Sequence, residues 1–130
     1  MSGTVIVTDR GFAPDDWTGA AAEVAELAPG DDPRALAGRL DALRLVRIAF
    51  PGFADGRGFT LARQLRAMGY AGRLRAVGHV LADQYAMARR AGFDEVEIDA
   101  ALAARQPENQ WLARADWRAH DYQSRLRASA

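Results

Sequence analysis

The sequence predicts a single α/β domain over residues 1–130, with a mostly parallel sheet of about 4–5 strands, crossover helices and a long C-terminal helix. Strand-like and helical patterns alternate about three times after residue 22, which is typical of parallel sheets with right-handed crossovers. A glycine-rich loop, residues 52–58, follows the apolar run at residues 43–50, as where a buried strand leads into a helix. These units are too few for a complete barrel, so the sheet is either open or a partial-barrel-like curl.

The first half of the chain alternates β-branched or apolar runs with turn signals. The predicted elements are a strand at residues 4–8, a loop or short hairpin arm at 9–17, a strand within 20–28, a helix from Pro33 to about Leu40, and a strand at 43–50. The segment 20–28 is ambiguous, because its alanines favour a helix while its alternation at 23–27 favours a strand. Asp32 and Pro33 are typical of a helix start, as cap and first helical residue.

The second half repeats the strand–helix pattern and then turns helical. The predicted elements are a helix at residues 57–68, a strand at 72–77, a helix at 80–91, a strand at 94–98, a helical turn at 100–105, and a helix from Pro107 to about Leu126. Gly69 and Gly92 are expected to end the first two helices. Trp117 lies off the apolar stripe of the last helix, either as a half-covered boundary residue or as part of a partner surface.

Composition excludes several kinds of chemistry within this chain. There is no cysteine, which excludes disulfides, thiol catalysis, thiolate zinc sites and cysteine-held iron–sulfur clusters. All 17 basic residues are arginines, which excludes a Schiff-base lysine and the lysine of a P-loop. With only two histidines, His79 and His120, no metal site is predicted.

Charge and hydropathy give further expectations about partners and location. The formal net charge is zero, so no electrostatic argument favours binding to nucleic acid or to an anionic membrane. The sequence contains no apolar run long enough to span a bilayer, and its first residues do not resemble a signal peptide. We therefore expect a soluble, cytoplasmic protein.

Charged residues and glycines follow the predicted strands at their carboxyl ends, where parallel sheets bind ligands. They are Asp55, Gly56, Arg57 and Gly58, then Gly78, His79 and Asp83, and finally Asp99. We expect these residues to converge on one rim of the sheet. A dinucleotide is disfavoured there, because Leu61 stands where the third small residue of the G-x-G-x-x-G fingerprint belongs.

Arg57 gives the clearest indication of a site. It lies in the first turn of a predicted helix, where the helix dipole disfavours a cation unless it has an anionic partner. One interpretation is a local ion pair with Asp55 that steadies the glycine loop. The other is an anion site, in which the helix start and the guanidinium group bind phosphate, sulfate or a carboxylate.

The remaining candidates each have a structural alternative. The catalytic candidates are Asp55, His79 and Asp83, and the ligand-binding candidates are Asp55, Gly56, Arg57, Gly58, Arg75, Gly78, His79 and Gln84. His79 is either a capping residue or a proton donor, and Asp83 is either a dipole-complementing acid or part of the site. Arg73 and Arg75 share a strand face and either reach the rim or pair with Asp94, Glu95 or Glu97.

A long motif in the centre of the chain carries a family resemblance. From Asp55 the chain reads D-G-R-G-F-T-L-A-R-Q-L-R, preceded by F-P-G-F-A and followed by R-R-A-G-F-D at residues 89–94. These residues resemble domain-of-unknown-function family 934, and a looser likeness runs from about Val5 to the pair Tyr122-Gln123. The matching positions are Asp55, Gly56, Arg57, Arg66, Gly69, Gly72, Arg75, Gly78, Asp83, Gln84, Gly92 and Phe93.

The resemblance implies a bacterial protein associated with assimilatory sulfite reduction, a family often labelled as oxidoreductases, and it assigns no catalytic residue. Our leading expectation is an accessory protein that binds sulfite reductase or a small anion at the glycine loop. The alternative is an enzyme acting on a small anion at the carboxyl ends of the strands. A third interpretation is a structural subunit that docks a partner, or a second copy in a homo-oligomer, through the helix that carries Trp117. A redox step would need a cofactor held by other means, or by a partner.

Overall fold

The computed structural model describes residues 3–118 and contains one six-stranded sheet with helices packed against it. The strands are β1 (Thr4–Thr8), β2 (Gly11–Ala13), β3 (Val24–Leu27), β4 (Leu45–Phe50), β5 (Arg73–Gly78) and β6 (Glu95–Asp99). The α-helices are α1 (Arg57–Ala67), α2 (Tyr85–Ala91), α3 (Ala100–Arg105) and α4 (Glu108–Leu112). Short 3-10 helices lie at Ala21–Glu23, Pro33–Arg39 and Ala82–Gln84.

The sheet is open and mostly parallel, in the order β2-β1-β6-β5-β4-β3. Strands β3 to β6 are parallel neighbours in sequence order, and β1 joins β6 antiparallel with Ile6 opposite Glu97. Strand β2 is the hairpin arm of β1, so the predicted loop or arm at residues 9–17 contains a strand. The mostly parallel α/β prediction is confirmed. The expected 4–5 strands become six, because both short segments that the sequence left ambiguous form edge strands.

The predicted long C-terminal helix is wrong in its described part. Helix α4 ends at Leu112, and residues 113–118 form turns and irregular structure; the rest of the predicted helix lies outside the described residues. Tertiary contacts outweigh the helical periodicity here. Trp111 is buried and its indole N–H donates to the carbonyl oxygen of Gln106, while Trp117 donates to Asp9 and accepts from Arg90. These bonds hold the chain against α2 and the β1–β2 turn instead of continuing the helix.

The helices cover one face of the sheet. Because β3 to β6 follow one another across the sheet, right-handed crossovers carry every connecting helix to the same side. That face supplies the main core, in which strand residues such as Val46, Ile48 and Leu74 pack against Leu61 and Leu65 of α1. No helix in the described residues is both long and apolar enough to cross a membrane.

The other face, which we call the open face, bears an ion-pair network. It carries alternate strand residues, among them Glu26, Arg47, Arg75, Glu95 and Glu97, whose neighbours in sequence point into the core. Residues 14–20, which we call the strap, cross its amino-terminal half through ion pairs of Asp15 and Asp16 with arginines of β5.

Arg75 is the centre of this network and is almost completely buried, with 1% of its side chain exposed. Its guanidinium group donates to Glu95 at 2.6 Å, to Glu97 at 3.0 Å and to Asp15 at 3.2 Å. Burial alone would lower the pKa of Arg75, but the hydrogen bonds to these carboxylates outweigh it and raise the pKa above its usual value. The side chain therefore stays charged inside the fold.

Arg66 on α1 joins the amino-terminal ends of the strands to the helical layer. It donates to the carbonyl oxygens of Tyr70, Gly72 and Gly92 at 2.7–3.0 Å and to the Asp94 carboxylate at 3.0 Å. One planar guanidinium group thus satisfies three loop carbonyls and an acid, which an ammonium group with three donors cannot do in the same geometry.

We predict that Arg66→Lys lowers the free energy of unfolding by about 2–3 kcal/mol, because two or more of these charge-assisted hydrogen bonds are lost. Urea denaturation followed by circular dichroism measures the change. The matched control is Arg63→Lys at an exposed position of the same helix, which should leave the unfolding midpoint unchanged. Equal midpoints for the two variants would contradict the role assigned to Arg66.

Candidate functional site

The glycine loop connects β4 to α1, and one of its glycines has a packing role. A Cβ atom added at Gly58 would lie 2.4 Å from the ring of Phe50, so glycine lets the first turn of α1 approach the end of β4. Gly52 and Gly56 have no such close neighbour. Gly58 is therefore explained by the packing of α1, and the candidate site depends on the charged and aromatic residues around it.

Asp55 and Arg57 form the local ion pair that the sequence left as one of two interpretations. The Asp55 carboxylate accepts from the Arg57 backbone N–H at 3.2 Å, from Nε at 3.0 Å and from Nη2 at 2.8 Å. The hydrogen bond from the guanidinium group lowers the pKa of Asp55, and the same bond raises the pKa of Arg57. Two-thirds of the Arg57 side chain remains exposed, at 65%. The pair leaves the outer edge of the guanidinium group, at Nη1, facing solvent.

The same arrangement occurs a second time at the preceding crossover. Asp32 accepts from the Arg34 backbone N–H at 2.9 Å and from its Nε and Nη2 atoms at 3.1 and 3.0 Å. Both Asp-x-Arg pairs begin a helix after a parallel strand. The pair is thus a helix-start device of this chain, and only its surroundings can make one copy a binding site.

Gly78 and His79 form the next corner of the rim. Gly78 has φ of 115°, and a Cβ atom there would lie 2.8 Å from the backbone oxygen of Phe50, so the position requires glycine. The His79 ring lies 3.2 Å from that same oxygen through Nδ1 and meets Phe53 edge to face at 4.9 Å. In the tautomer that makes this bond, Nδ1 carries the proton and Nε2 is left as an acceptor.

Phe53 is the exposed aromatic residue of the glycine loop, and Gln84 supports it. The Gln84 side-chain amide donates to the Phe53 carbonyl oxygen at 3.1 Å and accepts from the Leu81 N–H at 2.8 Å. Gln84, predicted as a ligand-binding residue, thus positions the loop against the start of α2. Phe53 is 37% exposed beside His79.

A cleft of about 160 Å³ opens at the carboxyl ends of β5 and β6. It is lined by Thr4, Phe53, Val77, Gly78, His79, Glu97, Ile98, Asp99, Leu102 and Arg105. Gly78, His79 and Asp99 converge here, as the rim hypothesis expects, although the Asp99 carboxylate also accepts from the Leu102 N–H at the start of α3. Asp55, Gly56, Arg57 and Gly58 do not line the cleft; they adjoin it through Phe53 in the same loop.

Two predicted site residues lie elsewhere. Arg75 does not reach the rim, because it is held in mid-strand on the open face by Glu95 and Glu97, and the alternative interpretation of its role is the one the geometry supports. Asp83, in the 3-10 helix before α2, pairs at 2.8 Å with Arg114, in the turn after α4. Within residues 3–118, no three acidic or histidine side chains are grouped so that they could bind one metal ion.

The sequence did not single out Thr4, Phe53 or Arg105. Thr4 reaches the cleft because β1 pairs antiparallel with β6, with Thr4 opposite Asp99, and nothing local in the sequence reports that pairing. Phe53 could have been identified from the sequence, because it is a large apolar residue in a glycine-rich loop, and such a loop has no core-facing side on which to bury it.

A family model described as "Bacterial protein of unknown function (DUF934)" matches residues 24–130. The chain belongs to this family. The match confirms the resemblance carried by the central motif, and it spans β3 to β6 with the glycine loop and the His79 corner. The matched residues begin at Val24, so only the part of the looser likeness that precedes Val24 lies outside them. Comparisons with curated proteins and with solved structures gave no match.

We predict that Gly78→Ala destabilises the fold by about 2–4 kcal/mol, because an L-residue is strained at this φ and its Cβ would press on the Phe50 oxygen. Thermal or urea unfolding measures the change. Gly52→Ala is the control, since a Cβ atom there meets nothing within 4 Å and its φ is not in the left-handed region. A Gly78→Ala variant as stable as Gly52→Ala would show that the corner is not built as described.

Proposed function

We propose that this protein is an accessory protein of assimilatory sulfite reduction that binds the reductase, or a small anion such as sulfite, sulfate or phosphate, at the glycine loop. The association with sulfite reduction is an expectation from the resemblance carried by the central motif, since the matched family is described as of unknown function. The observation that carries the location is the grouping of an exposed, pre-oriented arginine with an exposed aromatic residue on one loop.

The geometry of Arg57 suits this role. Asp55 holds the guanidinium group in one orientation, so binding would cost little side-chain entropy, and the free edge at Nη1 still offers two N–H donors. A guanidinium group binds oxyanions and carboxylates with charge-assisted hydrogen bonds. The neighbouring Phe53 and His79 add an aromatic surface that a protein partner can cover.

The candidate acids are already engaged in structural interactions. Asp55 is paired with Arg57, Asp83 with Arg114, and Asp99 caps α3. Both oxygens of the Asp55 carboxylate accept from Arg57, so its protonation would disturb the pair that orients the guanidinium group. Binding through the loop needs no change in the protonation state of Asp55, which supports a binding role over a catalytic role for this carboxylate.

We predict that Arg57→Ala weakens binding of sulfite or of the cognate sulfite reductase about tenfold, because a charge-assisted contact is lost. Isothermal titration calorimetry measures the affinity. In a reconstituted assay, the unaltered protein should raise the rate at which the reductase reduces sulfite, or the fraction of donated electrons that reach sulfite. The Arg57→Ala variant should raise neither.

Arg34→Ala is the matched control. It removes an arginine with the same hydrogen bonds to an aspartate, but the Asp32–Arg34 pair is not in the loop that carries Phe53 against His79. It should bind as the unaltered protein does. If Arg57→Ala binds equally well, or if the protein neither binds the reductase nor alters its rate, the proposal is wrong.

A second candidate function is an enzyme that acts on a small anion in the cleft at the ends of β5 and β6. The cleft favours it because His79 lines a concavity at the carboxyl edge of a parallel sheet, with a free acceptor nitrogen and Arg105 nearby. Such an enzyme would act without the reductase. A redox reaction would need a bound cofactor, because the side chains of this chain include no redox-active thiol.

For this alternative we predict that the protein, supplied with a redox cofactor but without the reductase, consumes sulfite and that His79→Asn lowers the turnover number about 10²–10⁴-fold. Asparagine keeps an N–H donor near the Phe50 oxygen but lacks the second ring nitrogen. A lower turnover number in a variant of unchanged stability would therefore report the loss of proton transfer. The assay follows sulfite loss without reductase. Absence of turnover, or equal turnover in the variant, would leave the accessory role as the better explanation.

A further inference from the structure

The carboxyl-terminal half of the open face is bare in the described part of the chain. The strap covers the amino-terminal half, where Asp15 and Asp16 meet Arg75 and Arg73. Beyond it, Ala49 and Thr4 are exposed, Val77 is half-buried, and 70% of the Glu26 side chain is exposed. Parallel sheets are normally covered on both faces, because crossover helices or a partner bury them. This bare half is therefore an unusual surface for strands that are parallel neighbours.

The open face is separate from the main core. Ile6 and Leu45 are buried on it at 2% and 1% exposure, yet neither belongs to the cluster of core residues on the helical side. Leu45 lies beside the strap and Arg75, since Asp15, Trp17, Leu45 and Arg75 line one surface groove. Within residues 3–118 the bare half has no such cover, and its small side chains Ala49 and Val77 leave it low enough for another molecule to approach the sheet.

The charge of this face indicates what kind of molecule would cover it. One connected network runs Glu26–Arg47–Glu97–Arg75–Glu95–Arg73–Asp16, with Asp15 bonded to Arg75, and most of its members lie in the half that the strap covers. The charged strand residues of the bare half are the acids Glu26, Glu97 and Asp99 and the single base Arg47, so its strands are acidic in a chain whose net charge is zero. A second copy of the chain would bring acidic strands against acidic strands in a buried interface, which is unfavourable.

We propose that the bare half of the open face is the docking surface for a partner protein that presents a basic surface, and, resting on the function proposed above, that this partner is the sulfite reductase. The cleft beside Phe53 and His79 is lined by Thr4, Val77 and Glu97 of this same face, so it opens onto the docking surface. A reductase docked on the face would therefore lie beside the glycine loop as well.

The test uses charge variants at Ala49, an exposed residue of β4 in the bare half of the open face. Ala49→Arg adds bulk and positive charge, and Ala49→Glu adds similar bulk with negative charge. Binding to the cognate reductase is measured by isothermal titration calorimetry, with unfolding curves for each variant. Ala67→Arg, at an exposed position of α1 on the helical side, is the control.

We expect Ala49→Arg to raise the dissociation constant at least about tenfold, while Ala49→Glu binds at least as tightly as the unaltered chain. Ala67→Arg should bind as the unaltered chain does. Raising the ionic strength from about 0.05 M to about 0.3 M should weaken the complex, since rim charges are screened. Glu26→Gln, which removes one exposed negative charge, should weaken binding to a smaller extent.

The outcomes distinguish this inference from the function on which it rests. If the reductase binds and Arg57→Ala weakens the complex, but Ala49→Arg binds normally, the docking surface is wrong and the proposed function stands. If the unaltered chain does not bind the reductase, both are overturned. If light scattering shows a dimer that Ala49→Arg dissociates, the open face is an interface between copies of the chain, and the inference is again overturned.

Discussion

The structure depends on the burial of the Arg75 guanidinium group within a set of carboxylates. A buried cation is costly unless its partners are complete, and here Glu95, Glu97 and Asp15 supply a bond on each side of the group. Two of these acids come from the neighbouring strand and one from the strap, so this one side chain ties β5 to β6 and folds residues 14–20 over the sheet. Because the helices of residues 3–118 pack on one face, this network and the strap are what cover the amino-terminal half of the other.

The network also fixes strand register. Arg47 and Arg75 lie opposite one another on β4 and β5, and Arg75 lies opposite Glu95 on β6. Slipping any of these strands by one residue would exchange its charged side chains with core residues such as Ile48 or Ala76. These charges, on the face opposite the helices, therefore align the carboxyl ends of the strands. The positions of the glycine loop and of Gly78 and His79 follow from the same strand register.

The sequence predicted those elements whose signals are local. The apolar run before Pro51, the cap at Asp32 and the helix end at Gly92 all appear where expected, because each depends on a few adjacent residues. The end of α4 was not predictable in this way, and local signals left two roles open for Arg75, of which the structure shows the pairing with Glu95 and Glu97. The first depends on contacts of Trp117 with α2 and the β1–β2 turn, and the second on which strands become neighbours. Pairing between distant segments is the information that periodicity lacks.

The candidate site follows the same division. The Asp-x-Arg motif is visible in the sequence, but it occurs at Asp32 and again at Asp55 with the same hydrogen bonds, so the motif alone does not define a site. What distinguishes the second copy is tertiary: its loop carries Phe53 against His79, and the adjoining cleft borrows Thr4 from a strand near the start of the chain. The candidate surface is assembled from three separate segments and so depends on strand pairing that no local motif reports, whereas the Asp-x-Arg pairs serve the fold at both helix starts.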